Sequence, residues 1–134
     1  MEKVTNLICS LIAIQNFCKD IHYNAKGEAF YSKHLLADRI QNNFSDYIDR
    51  IKEVAILGND EVALPSGEYL SRATSLIPEL EEDDKKNFQS LENLIVNTLM
   101  SLQEMESTMG EDNLYGEIAE DLQNSLGLIN RQIK

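Results

Sequence analysis

Five residues in the first half of the chain have the types and spacing for metal chemistry: His22, His34, Asp38, Asp49 and Glu53. The chain has only two histidines, and both fall in one short region beside the three carboxylates. Imidazole nitrogen and carboxylate oxygen without thiolate form a ligand set suited to iron, manganese or zinc, and carboxylate-rich sites inside helical bundles are where di-iron chemistry is built. Taken singly, each residue reads as an ordinary solvated polar group. Asp49 has Arg50 and Lys52 beside it for pairing, and a lone histidine is often just hydrogen-bonded. The grouping carries the signal.

His34 and Asp38 are spaced i,i+4, as are Asp49 and Glu53, so on a helix each pair stacks on one face. The step from Asp38 to Asp49 is 11 residues, almost three whole turns, which puts all four on one stripe. At 1.5 Å per residue the two pairs still stand roughly 16 Å apart, beyond the reach of one metal ion. One helix therefore cannot close the site. His34 and Glu53 share a midpoint between Asn43 and Phe44, and so do Asp38 and Asp49. An antiparallel pairing of two copies centred there brings each pair opposite the complementary pair of its partner.

The elements that would position these residues follow from apolar periodicity. Val4, Leu7, Ile8, Leu11, Ile14, Cys18 and Ile21 repeat with helical period, and the pattern stops near Asn24 to Gly27. A second helix runs from Phe30 through Leu35, Ile40, Phe44, Tyr47, Ile48 and Ile51 to Ile56, closed by Gly58, Asn59 and Asp60. Pro65 to Glu68 offers turn residues before a short helical piece, Tyr69 to Ile77, which ends at Pro78. Phe88, Leu91, Leu94, Ile95, Leu102 and Met105 mark a third long helix. Gly110 interrupts the pattern before Leu114, Ile118, Leu122, Ile129 and Ile133 mark a fourth. Four long helices, with a long crossover carrying a short helix between the second and third, predict an all-α, ferritin-like four-helix bundle formed by residues 1–134 as one domain.

The net charge of −11 argues against direct binding to nucleic acid or an anionic membrane and makes a cation the natural partner, although taken alone such acidity more often serves only solubility. The acidic run Glu79 to Asp84 is expected as a solvated helix start. Glu111, Asp112, Glu117, Glu120 and Asp121 fit a cation pore and a solvated helix start equally well. Cys9 and Cys18 lie nine residues apart, on opposite faces of one helix, too far apart to bond to each other, as expected of reduced thiols in a cytoplasmic protein. The apolar stretch Leu7 to Ile14 is too short for a membrane anchor and lacks a cleavage site of the signal-peptide kind.

The segment His22-Tyr23-Asn24-Ala25-Lys26-Gly27-Glu28-Ala29-Phe30, followed by His34, Asp38, Asp49 and Glu53, resembles the ferroxidase signature of the Dps family of miniature ferritins. The resemblance implies an iron site shared between two subunits, its ligands His22, His34 and Asp38 of one and Asp49 and Glu53 of the other. It further implies a ferroxidase that oxidises Fe²⁺ to Fe³⁺ with hydrogen peroxide or oxygen, stores the product and protects against oxidative damage, and a homo-oligomer, a dodecamer built from twofold dimers. The chain departs from the family in having Tyr23 where a tryptophan usually follows the first ligand histidine, and no tryptophan elsewhere. It also lacks a basic terminal extension, so DNA binding is not expected. The rival expectation is a non-catalytic ferritin-like assembly or interaction protein whose metal site is structural or vestigial; a manganese or zinc site is a third.

Overall fold

The computed structural model describes residues 1–134, and all of its regular structure is helical, with no strand. The first helix, α1 (Glu2–Asn24), contains neither glycine nor proline, and the core forms around it. Leu7, Ile8, Cys9, Leu11, Ile12, Ala13 and Ile14 are all buried, so this stretch is covered nearly all round rather than along one stripe. That is why Cys9 and Cys18, on opposite sides of the helix, are both buried and both free. Burial pushes both thiols above the usual range.

The chain reverses after α1 through Ala25 in extended geometry and two left-handed residues, Gly27 (φ 75°) and Ala29 (φ 59°). Glycine adopts this region freely, whereas alanine is strained there. The expected second helix is segmented: α2 (Phe30–Gln41), α3 (Phe44–Ile51), a π turn over Lys52–Ile56 and a 3₁₀ turn over Leu57–Asn59. Asn42 and Asn43 break the hydrogen-bond ladder without leaving the right-handed helical region (φ −56°, ψ −35°; φ −95°, ψ 0°). Fully buried Phe44 anchors the far side of the break. The segment ends on Asp60, whose left-handed φ of 55° lets Glu61 N–H reach the Ile56 carbonyl at 2.9 Å and Asp60 N–H the Leu57 carbonyl at 3.0 Å. This pair of bonds is a Schellman motif, which satisfies carbonyls that a helix end leaves free.

Pro65 caps α4 (Ser66–Thr74), which stops three residues before the expected Ile77. The last two helices are α5 (Asp84–Gln103) and α6 (Met109–Gln132). Asp83 caps α5 by accepting from Lys85 N–H at 2.9 Å, and Thr108 with Glu111 forms a capping box at α6. Gly110 lies inside the first turn of α6 rather than before it. α1 packs on α2, α3, α4 and α5, and α6 closes the arrangement against α5, α2 and α3. No helix is long and apolar enough to cross a membrane.

The acidic run is more than a solvated helix start. Asp84 pairs with Lys33 at 3.1 Å and accepts from Lys26 N–H at 3.1 Å, tying the start of α5 to the α1–α2 turn. Lys26 also pairs with Glu82. Of the five acidic residues considered for a pore, Glu111 is buried and accepts from Asn59, Glu117 takes Arg50 at 2.8 Å, and Asp121 accepts from the Tyr47 hydroxyl at 2.8 Å. These three hold α6 to the rest of the chain. Asp112 accepts from Ser107, and Glu120 is exposed.

Candidate metal centre

The tight turn after α1 lays the start of α2 against the end of α1, and this brings the two histidines into contact. His22 Nδ1 lies 2.7 Å from the His34 carbonyl, and His34 Nδ1 lies 2.6 Å from the His22 carbonyl. A carbonyl only accepts, so each Nδ1 carries the proton. Each ring is then the tautomer whose Nε2 lone pair is bare. This is how metal-binding imidazoles are prepared: a hydrogen bond at one nitrogen fixes tautomer and ring plane, leaving the other free to ligate. The rings are stacked, with centroids 3.6 Å apart and planes 14° apart, so both Nε2 atoms belong to one small patch of surface.

Aromatic side chains surround the pair. Phe30 stacks on His34 at 5.3 Å, Tyr31 lies at 6.4 Å, and Tyr23 meets His22 edge-on at 5.0 Å. Tyr23 is 76% exposed and Tyr31 69%, leaving both phenols open to solvent beside the imidazoles. Tyr31 was not singled out in the sequence, although its place three residues before His34 sets it on the same helix face.

The three carboxylates stand apart from the histidine pair. Asp38, one turn beyond His34 on α2, is exposed and accepts from Gln41 at 3.1 Å. Asp49, near the end of α3, and Glu53, in the π turn, are both exposed. Arg50, which the sequence offered as a partner for Asp49, turns instead to Asp46 at 3.6 Å and Glu117 at 2.8 Å. Arg50 thereby holds the Glu117 carboxyl below its usual range. Asp49 on α3 and Glu53 in the π turn are left free of side-chain partners.

Within one chain the five residues do not converge, and no three of its His, Cys, Asp or Glu side chains form a metal-binding group. A single chain brings together only the two prepared imidazoles; Asp38 stands one turn beyond them on α2, and two free carboxylates follow beyond the break. The break at Asn42 and Asn43 falls between them, beside the midpoint that the residue spacing marks. The π turn, which carries Glu53, had no signal in the apolar pattern. Comparison with known proteins gives no matching family model and no matching curated relative.

Proposed function

We propose that this chain is the subunit of an iron-oxidising and iron-storing miniature ferritin, a ferritin-like bundle of the Dps kind. The observation that carries the reading is the reciprocal clasp of His22 and His34, which fixes both rings with Nδ1 protonated and both Nε2 lone pairs bare. Two imidazoles prepared side by side, each with one ring nitrogen hydrogen-bonded, are suited to ligation. The free carboxylates of Asp49 and Glu53 support the reading from the other half-site.

In this reading two copies pack α2 and α3 antiparallel about a twofold axis near Asn43, so that Asp49 and Glu53 of one copy face Asp38 and His34 of the other. The exposed apolar side chains Tyr31 and Leu35 lie on α2 where such a partner would cover them. Fe²⁺ is the substrate. The imidazole Nε2 atoms favour ferrous iron, and the anionic oxygens of Asp38, Asp49 and Glu53 stabilise the higher charge of Fe³⁺. Each of two Fe²⁺ ions gives up one electron. Hydrogen peroxide takes both, its O–O bond breaks, and with two protons it leaves as two waters. The Fe³⁺ product then accumulates as mineral within a closed shell of subunits, with a dodecamer as the assembly of the Dps kind. The net charge of −11 suits a cation substrate and opposes DNA as a partner.

The test is Fe²⁺ oxidation by peroxide or air, followed by the near-ultraviolet absorbance of the ferric product. Oxidation that continues well past the number of sites supports the proposal. Stoichiometric binding without turnover identifies the rival, a non-catalytic assembly with a structural metal, and elemental analysis then separates iron from manganese or zinc.

A further inference from the structure

The clasp of His22 and His34 closes a turn that local preference alone does not hold. Two residues of that turn, Gly27 and Ala29, are left-handed, and alanine is strained there. Both imidazoles are half-buried, so water competes for each Nδ1–H. A strained backbone persists where surrounding groups over-determine it.

Besides the clasp, one set of hydrogen bonds joins the two limbs of the turn. The Lys33 ammonium donates to the Lys26 carbonyl at 3.2 Å and to Asp84 Oδ2 at 3.1 Å. The same Asp84 oxygen accepts from Lys26 N–H at 3.1 Å. Lys26 follows His22 by four residues, and Lys33 immediately precedes His34. From the first turn of α5, Asp84 therefore draws both limbs together. The Lys33 and Asp84 side chains are only 20% and 10% exposed, so water and salt screen this bracket far less than the exposed Lys26–Glu82 pair beside it.

Helix geometry carries the bracket to the rings. Successive residues of a helix stand about 100° apart on one rigid turn, so holding Lys33 toward Asp84 fixes the rotation of the start of α2 and with it the direction of His34. Holding Lys26 N–H fixes how the chain leaves α1 just past His22. The clasp needs both carbonyls within reach of the opposite ring at once, and hydrogen bonds weaken steeply when bent or stretched. A small rotation or slide of α2 would open both bonds together.

We propose that Asp84 and Lys33 are positioning residues for the two imidazoles: their bracket across the α1–α2 turn keeps the His22–His34 clasp shut and both Nε2 lone pairs bare for metal. The inference rests on the metal-centre reading above. Neither residue is among the five proposed ligands, and each acts through the backbone that carries the histidines.

The experiment reads the ring nitrogens directly, by ¹⁵N imidazole spectra of the metal-free, full-length protein recorded well above the usual imidazole pKa of about 6.5. Clasped rings hold one tautomer, with Nδ1 protonated, whereas a released neutral imidazole exchanges between both and gives averaged signals. Wild-type rings should show the single tautomer; averaged wild-type signals would mean there is no clasp to hold and would overturn the proposal. Asp84→Ala and Lys33→Met should keep the helix content yet shift both rings toward the average, and should weaken Co²⁺ binding about tenfold, the scale of losing a group that orients a ligand. Should Asp84→Ala fail to fold, Lys33→Met decides, since it leaves the bond from Lys26 N–H to Asp84 in place. Thr108→Ala, which removes the cap of α6, lowers stability away from the turn and should leave the rings and Co²⁺ binding as in wild type. Rings that stay in one tautomer in the folded bracket variants, or that shift as much in Thr108→Ala, overturn the positioning role; Co²⁺ binding by wild type then leaves the metal centre standing. If the bracket variants shift the rings but wild type binds no Co²⁺, the bracket sets the rings and the metal-centre reading is what fails.

Discussion

His22 and His34 hold each other by the backbone: each ring nitrogen Nδ1 meets the carbonyl of the other residue, at 2.7 and 2.6 Å. The two bonds bridge α1 and α2 across 12 residues of sequence and close the turn between them. Fixing the rings and fixing the turn are therefore one act. Replacing either histidine deletes one of the two bonds and leaves a carbonyl to find water.

His34→Ala is expected to abolish iron oxidation and to lower stability by about 1 kcal/mol, the net value of one such hydrogen bond at a half-exposed position. The fold survives because neither ring lies in the core. Ferroxidase assay and urea denaturation on the same preparation check both halves. A variant that unfolds while retaining activity per folded molecule would make the residue structural.

The same turn contains a strained residue that can be relieved. Ala29 sits at φ 59°, a region that costs a residue bearing a Cβ roughly 1–2 kcal/mol and costs glycine little. Ala29→Gly should raise stability by about 1 kcal/mol, roughly 4 °C in melting temperature for a domain of this size. Gly27→Ala, at φ 75°, should have the opposite sign. Calorimetry of the two variants tests the turn geometry independently of any metal, and equal effects of one sign would contradict it.

Alkaline pH should destabilise the fold through two buried phenols. Burial, and then the hydrogen bond to Asp121, raises the Tyr47 pKa well above its usual value; burial, and then the Glu111 carboxylate, pushes Tyr115 up to about 12. Both groups are neutral when protonated, so a raised folded pKa means that the folded state keeps a proton the unfolded chain gives up above about pH 10. Their contribution is complete below that pH and is lost as pH rises through about 12 for Tyr115 and higher still for Tyr47. Each phenol can lower stability by at most roughly 1.4 kcal/mol per pH unit within the window. Tyr115→Phe should remove part of that slope. Because the Tyr115 hydroxyl is buried without a partner, the substitution should also stabilise the protein at neutral pH by about 1 kcal/mol. Urea midpoints that stay flat from about pH 10 to 12 would refute the assignment.

What the sequence made legible follows from what each signal measures. Apolar period reports which residues face a core, and it located every long helix to within a few residues, because each buries a face against α1 or α6. It missed the breaks at Asn42 and at the π turn, because both keep the buried face in register: Phe44, Tyr47, Ile51, Ala55 and Ile56 are all buried despite the changes in hydrogen bonding. Gly58, Asn59 and Asp60 marked the end of that segment, but the left-handed position fell to Asp60 rather than Gly58. In the candidate site, residue type singled out both histidines. Their mutual clasp depends on the α1–α2 turn, whose shape no periodicity encodes. The acidic residues of α6 looked alike in sequence. Their different roles come from Asn59, Arg50 and Tyr47, which reach them from more than 50 residues away.

The most discriminating prediction concerns the sharing of the site between two copies. In the proposed antiparallel pairing centred near Asn43, each site would take His22, His34 and Asp38 from one copy and Asp49 and Glu53 from its partner. Assemblies made wholly of His34→Ala or wholly of Glu53→Ala subunits should both be inactive, since every site then lacks one ligand. Co-expression of the two should restore activity. A mixed dimer has one site missing both ligands and one site with all ligands wild type, and random pairing makes about half of the dimers mixed, so the expected recovery is roughly a quarter of wild type when sites act independently. A site built within one chain would recover nothing, because every chain carries a damaged ligand set. Activity measured on mixed dimers purified through two different affinity tags decides the matter. Zero activity there would sink the shared site, even if each histidine and carboxylate proved essential when tested alone.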